Sequence, residues 1–108
     1  DARVRIIGDL CVVPNENLSC PDYVFADDYD LMSLQELESF ITANKHLPGV
    51  KSAGEVKEQG GVNFVEISYS LLEKVEELTL YTIAQQKTME EMQGHIQRLQ
   101  DQLTNIED

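Results

Sequence analysis

The chain has 108 residues, room for one compact domain at most. Twenty acidic side chains against eight basic ones give a net charge of −12, which speaks against nucleic-acid partners and anionic membrane surfaces, since both are bound through basic patches. No run approaches the roughly 20 apolar residues of a membrane span, so membrane insertion is not expected either.

The chain opens Asp-Ala-Arg, with neither an initiator Met nor a signal-peptide pattern, and reads as the C-terminal piece of a longer protein. Residues 2–13 alternate loosely, Val4 and Ile6 against Arg3 and Arg5, then Leu10, Val12 and Val13. That pattern predicts a short N-terminal β segment, with Gly8-Asp9 as either a hairpin turn or a kink. Two short strands alone are marginal in water, so they need a partner, and neighbouring chains are the candidates. Cys11 and Cys20 allow either a bridge across a short loop or two ordinary thiols. Asn17-Leu18-Ser19 fits the glycosylation sequon, a pattern short enough to occur by chance. Residues 14–32, with Pro14, Asn15, Asn17, Pro21 and four Asp, read as an irregular connector anchored by Tyr23, Val24, Phe25 and Tyr29.

Ser33-Leu34-Gln35-Glu36 is a capping-box signature, and Leu34, Leu37, Phe40 and Ile41 form one face of the helix it opens. This helix should stop near Asn44, before the turn His46-Leu47-Pro48-Gly49, whose proline constrains Leu47 to extended geometry. A second box, Ser52-Ala53-Gly54-Glu55, starts a short helix that Gly60-Gly61 ends. Asn63 with Glu66 gives a third N-terminal signal, for a helix from about Phe64 to about Asn105, roughly 60 Å long.

That last helix carries an apolar heptad. With Val75 at position a, the a series is Val75, Thr82, Met89, Ile96 and Leu103. The d series is Leu71, Leu78, Gln85, Met92, Leu99 and Ile106. A strict seven-residue spacing keeps one stripe facing a partner only if helices supercoil together, so these eleven residues are the predicted oligomer interface. Leu72, Leu80 and Ile83 lie off the stripe and call for a cover, for which the helix bearing Leu37, Phe40 and Ile41 is the candidate. From Gln85 onward the outer positions are polar, and this half should stand free as a simple coiled coil. The e positions (Leu72, Thr79, Gln86, Gln93, Gln100) and g positions (Lys74, Tyr81, Thr88, His95, Gln102) offer almost no opposite-charge pairing. Nothing there selects a distinct partner, which favours a homo-oligomer. Thr82 and Gln85 make a polar layer in mid-stripe, either a register device or a tolerated weak spot. Core residues alone do not separate dimer from trimer.

Several consecutive blocks carry a resemblance. They are Pro21-Asp22-Tyr23-Val24-Phe25-Ala26-Asp27-Asp28-Tyr29-Asp30-Leu31, Leu34-Gln35-Glu36-Leu37-Glu38, Asn44-Lys45-His46-Leu47-Pro48-Gly49-Val50 with Ser52-Ala53, and Leu71 to Tyr81. Over residues 21–84 the chain resembles the C-terminal region of bacterial and phage tail-fibre-like extracellular repeat proteins. The resemblance implies an extracellular setting, on a cell surface or virion tail fibre, and a parallel homotrimer that sets the register of three fibre chains. Such tips sometimes act as folding nuclei or intramolecular chaperones, although the processing motif of the self-cleaving endosialidase chaperones is not visible here. The expected organisation is an α+β, mainly helical fold. It has a β segment at 1–20 ending an upstream shaft, a small two-helix head at 21–63, and a coiled-coil stalk at 64–108.

Chemistry of other kinds is sparse. Asp27-Asp28-Tyr29-Asp30 fails as an EF-hand, because Met32, Ser33 and Ser39 stand where an oxygen ligand, a glycine and a bidentate acid belong. A non-standard cation site on Asp22, Asp27, Asp28 and Asp30 stays open beside a solvated acidic loop. His46 and His95 have no Cys or His at zinc spacing; His46 should make turn hydrogen bonds and His95 lies at a surface g position. No nucleophile with an orienting group is legible, so no catalytic, cofactor or metal residue is assigned and no enzyme is expected. Two other readings compete with an assembly module. One is a receptor- or glycan-binding tip using Tyr23, Tyr29, Asp27 and Asp28; the other is a dimeric intracellular coiled-coil scaffold.

Overall fold

The computed structural model describes residues 2–14, 16 and 19–107, with the side chain of Glu107 excepted. Asn17 and Leu18 of the sequon lie outside the described residues. The fold is mainly helical, and no strand occurs among the described residues. Its helices are α1 (Leu34–Asn44), α2 (Ala53–Gln59) and α3 (Phe64–Glu107). The chain divides into two compact units, Asp1–Glu73 and Lys74–Asp108, and α3 contributes to both.

Residues 2–13 do not form the expected β segment within the single chain. They bend at Ile7-Gly8, where Gly8 takes φ +108°, and no strand flanks the bend, so Gly8-Asp9 is not a hairpin turn. Val4, Ile7 and Val13 are 86–89% exposed. A strand exists only as part of a ladder, and nothing among the described residues supplies the second strand. Cys11 and Cys20 are both free and exposed, which resolves the sequence alternatives against a bridge.

The connector contributes the one fully buried hydrophobic side chain among the described residues of the first unit, Val24, 1% exposed. It sits in a 3-10 turn, Tyr23–Phe25, entered through Asp22 at φ +100° and closed by Phe25 N–H donating to Asp22 O at 3.0 Å. Pro21 is buried and Tyr29 half-buried, whereas Phe25 is exposed and does not anchor the segment as expected. Tyr23 stacks obliquely on Tyr29, ring centroids 6.0 Å apart, and its hydroxyl donates to the Glu73 carboxylate on α3.

The helix ends form where the capping residues stand. Ser33 Oγ accepts from Glu36 N–H at 3.1 Å, satisfying one of the four orphan donors at the start of α1. α1 ends after Asn44 with Lys45 in the left-handed region, φ 61°, its N–H returning to Ile41 O at 2.8 Å. Both arms of the capping box are made at α2: Glu55 N–H donates to Ser52 Oγ at 3.2 Å and Ser52 N–H to Glu55 Oε1 at 3.3 Å. Gly60, at φ 84°, ends α2 in the conformation glycine adopts most readily. α1 and α2 present half-buried residues such as Leu37, Phe40 and Val56, and neither carries a buried one. So thin a core is what a unit of this size can build alone.

Candidate oligomerisation face

The face is built on α3, and α3 begins with a local cap. Asn63 Oδ1 accepts from Glu66 N–H at 3.0 Å, and Asn63 O takes the first helical bond from Ile67 N–H. Glu66 places a carboxylate in the first turn, where the helix dipole favours it, and pairs with Lys51 at 2.9 Å. Lys51 also donates to the Gln59 side chain, whose Nε2 donates to Gly61 O at 3.1 Å, so the end of α2 is tied to the start of α3. No proline interrupts the 44 residues of α3.

Along its length the helix satisfies many of its own polar groups. Gln86 donates to Glu90 and Gln97 to Asp101, each at 3.1 Å and one turn apart. Lys74 pairs with Glu77 at 2.8 Å. Thr79, Thr82 and Thr104 donate their hydroxyls back to the carbonyls of Val75, Leu78 and Gln100. These bonds span three or four residues, so they support α3 without any other element.

The predicted stripe is exposed throughout. Leu71, Val75, Leu78, Met89, Met92, Ile96, Leu99, Leu103 and Ile106 are between 50% and 80% exposed, and Thr82 and Gln85 are exposed as well. Ile96, Leu99 and Leu103 therefore do not pack into their own chain. From 82 to 106 every residue except half-buried Gly94 is exposed. A helix with an apolar stripe on one side and paired polar side chains elsewhere is amphipathic and unpartnered, and most helices of this kind draw their stability from packing that stripe.

No protein-family model, curated protein or solved structure matches the chain. The site is therefore defined by its own geometry.

Off the stripe, Leu80 is half-buried, while Leu72 and Ile83 are 46% and 47% exposed. Glu76, at an outer b position, is 5% exposed, a burial that no signal in the heptad marked.

The remaining candidate groups are drawn into local structure. His46 Nδ1–H donates to Leu47 O at 2.9 Å and the ring meets Phe40 edge-on at 5.5 Å, the turn role expected of it. His95 lies exposed on α3. Among the described residues no three His, Cys, Asp or Glu side chains gather to hold a metal ion, so Asp22, Asp27, Asp28 and Asp30 do not make the non-standard cation site. Carboxylates held together without an ion would repel, and these are instead spread over successive turns. Partial desolvation raises the Tyr69 phenol above its ordinary value, and the neighbouring Cys20 thiol acts in the same direction. Among the described residues no helix is long and apolar enough to cross a membrane.

Proposed function

We propose that this chain is a structural assembly module that joins copies of itself through α3. The observation that carries the proposal is the exposure of all eleven a and d residues on one helix. A stripe with a seven-residue period needs partner helices of the same period over the same length, and α3 itself is such a helix. The neutral e and g flanks support like-with-like association, because they offer no charge code for a different helix.

In the fuller form of the proposal, three copies associate in parallel at the C-terminus of an extracellular fibre or adhesin, fix the register of its chains and nucleate their folding. Residues 2–13 then find their ladder partners in neighbouring copies, where their exposed valines and isoleucines become covered. The number three and the extracellular setting rest on the resemblance of residues 21–84. Against the binding-tip alternative, Tyr23 and Tyr29 are engaged with each other, and Tyr23 also with Glu73. Sedimentation equilibrium of the full chain at micromolar concentration tests the proposal. The mass of three chains is expected; a mass of one chain refutes assembly, and a mass of two refutes the trimer.

A further inference from the structure

We infer that Gln85 sets the register and the parallel direction of the assembly, as a positioning residue inside the seam. The inference rests on the reading that α3 associates with copies of itself. Thr82 and Gln85 form adjacent polar layers, but the structure distinguishes them chemically. Thr82 Oγ1 donates to Leu78 O of its own helix at 2.9 Å, so its donor is satisfied before any partner arrives and its methyl group is left for packing.

The Gln85 carboxamide makes no hydrogen bond to its own chain among the described residues. The sequence explains the contrast with its neighbours. Gln86 and Gln97 stand one turn before Glu90 and Asp101 and donate to them at 3.1 Å. Gln85 stands one turn before Met89, whose thioether is a weak acceptor at best. The only glutamine on the stripe is thus left with both amide hydrogens and its carbonyl unengaged.

Closing the seam takes that amide out of water, and a buried amide without partners is costly. What it meets depends on how the copies are aligned. In a parallel, in-register assembly Gln85 meets Gln85, and the amides can link donor to acceptor within the layer. A slip of one heptad places it against Leu78 or Met92. Antiparallel pairing that layers a against d over 71–103 places it against Met89. Each of these alternatives leaves the amide against an apolar side chain.

The other layers do not make this distinction. Every other d residue (Leu71, Leu78, Met92, Leu99, Ile106) is apolar, and the one polar a residue, Thr82, has its hydroxyl satisfied within its own helix, so a one-heptad slip strands no polar group in these layers. Each mispaired amide disfavours an alternative alignment by roughly tenfold to a hundredfold. Gln85 therefore trades stability for a single alignment.

The test uses the full chain carrying Cys11→Ser and Cys20→Ser, in two reporter forms, Met92→Cys and Leu99→Cys, mixed and mildly oxidised. Aligned copies cross-link 92 to 92 and 99 to 99, whereas slipped copies link 92 to 99. With Gln85 present, the 92–99 product should be a minor fraction. Gln85→Leu should raise that fraction several-fold while raising the melting temperature, and Gln85→Asn, which keeps an amide, should hold it low. Equal 92–99 fractions with and without the amide, in assemblies of unchanged mass, overturn the inference. An unmodified chain that sediments as a monomer, together with reporter forms that cross-link at neither position, instead refutes the underlying reading of α3.

Discussion

Replacing Ile96 and Leu99 together by Asp attacks the free half of the stripe where its side chains are strongest. In the single chain Ile96 is 52% and Leu99 50% exposed, so assembly has about half of each side chain still to bury. Full burial of a large aliphatic side chain is worth about 1.5–3 kcal/mol, so the remaining half contributes about 1 kcal/mol per residue. Over two residues in three copies the loss is about 6 kcal/mol, or about four orders of magnitude in the association constant. The carboxylates act in the same direction, since each would have to be desolvated beside its copies in the seam. A charge-matched control, Gln97→Asp with Thr104→Asp, adds the same two charges at outer b positions. Sedimentation equilibrium and far-ultraviolet circular dichroism at micromolar concentration read the outcome. The seam variant should sediment as a monomer with reduced helicity, because an unpartnered helix frays, while the control should keep the mass of the unmodified chain. If the seam variant keeps that mass, the stripe is not what holds the copies together.

Three further outcomes follow from the same structure. Gly94 lies at an outer f position of α3, and a methyl group there would meet only Arg98 Nη1 at 3.7 Å, an ordinary contact. Gly94→Ala should therefore stabilise each chain by about 1 kcal/mol, seen as a higher melting temperature at unchanged mass. Each copy carries a net charge of −12, so association should tighten as salt rises from about 0.02 to about 0.5 M, measured as a falling dissociation constant; weakening over that range would mean that ion pairs hold the seam. The capping bonds from Ser52, backbone first and then side chain, hold the Glu55 carboxyl below the ordinary glutamate range. A lowered folded value means that the contribution of this cap is fully present above the ordinary range and is lost as pH falls through that range to the folded value. Titration of Glu55 by NMR should show that depression, and Ser52→Ala should reduce it.

The local parts of the fold were legible because their causes are local. Ser33, Ser52 and Asn63 announce three helix starts since each side chain captures an N–H three residues on. Gly60 announces the end of α2 through its positive φ. The stripe was legible for the same reason, as a periodicity inside one helix. Contacts between residues distant in sequence left no comparable trace. The Lys51–Glu66 ion pair and the Tyr23–Glu73 hydrogen bond join residues 15 and 50 positions apart, and the burial of Val24 was not separable from that of its aromatic neighbours. Lys45 ends α1 in a left-handed conformation that a sequence signal would assign to Gly or Asn. The N-terminal segment differs again: its alternation is real, but a strand exists only in a ladder, and no strand forms among the described residues.

Dipolar electron spin resonance on the full chain, with Cys11→Ser, Cys20→Ser and a spin label attached through Asp101→Cys, measures assembly and direction together. A parallel trimer places three labels at one level of the bundle, so a single short distance with the signal of three coupled spins is expected. An antiparallel pair would separate the same labels by about 40 Å along the helix axis. That longer distance, or no dipolar coupling at all, would contradict the claim that α3 brings copies of this chain together in parallel.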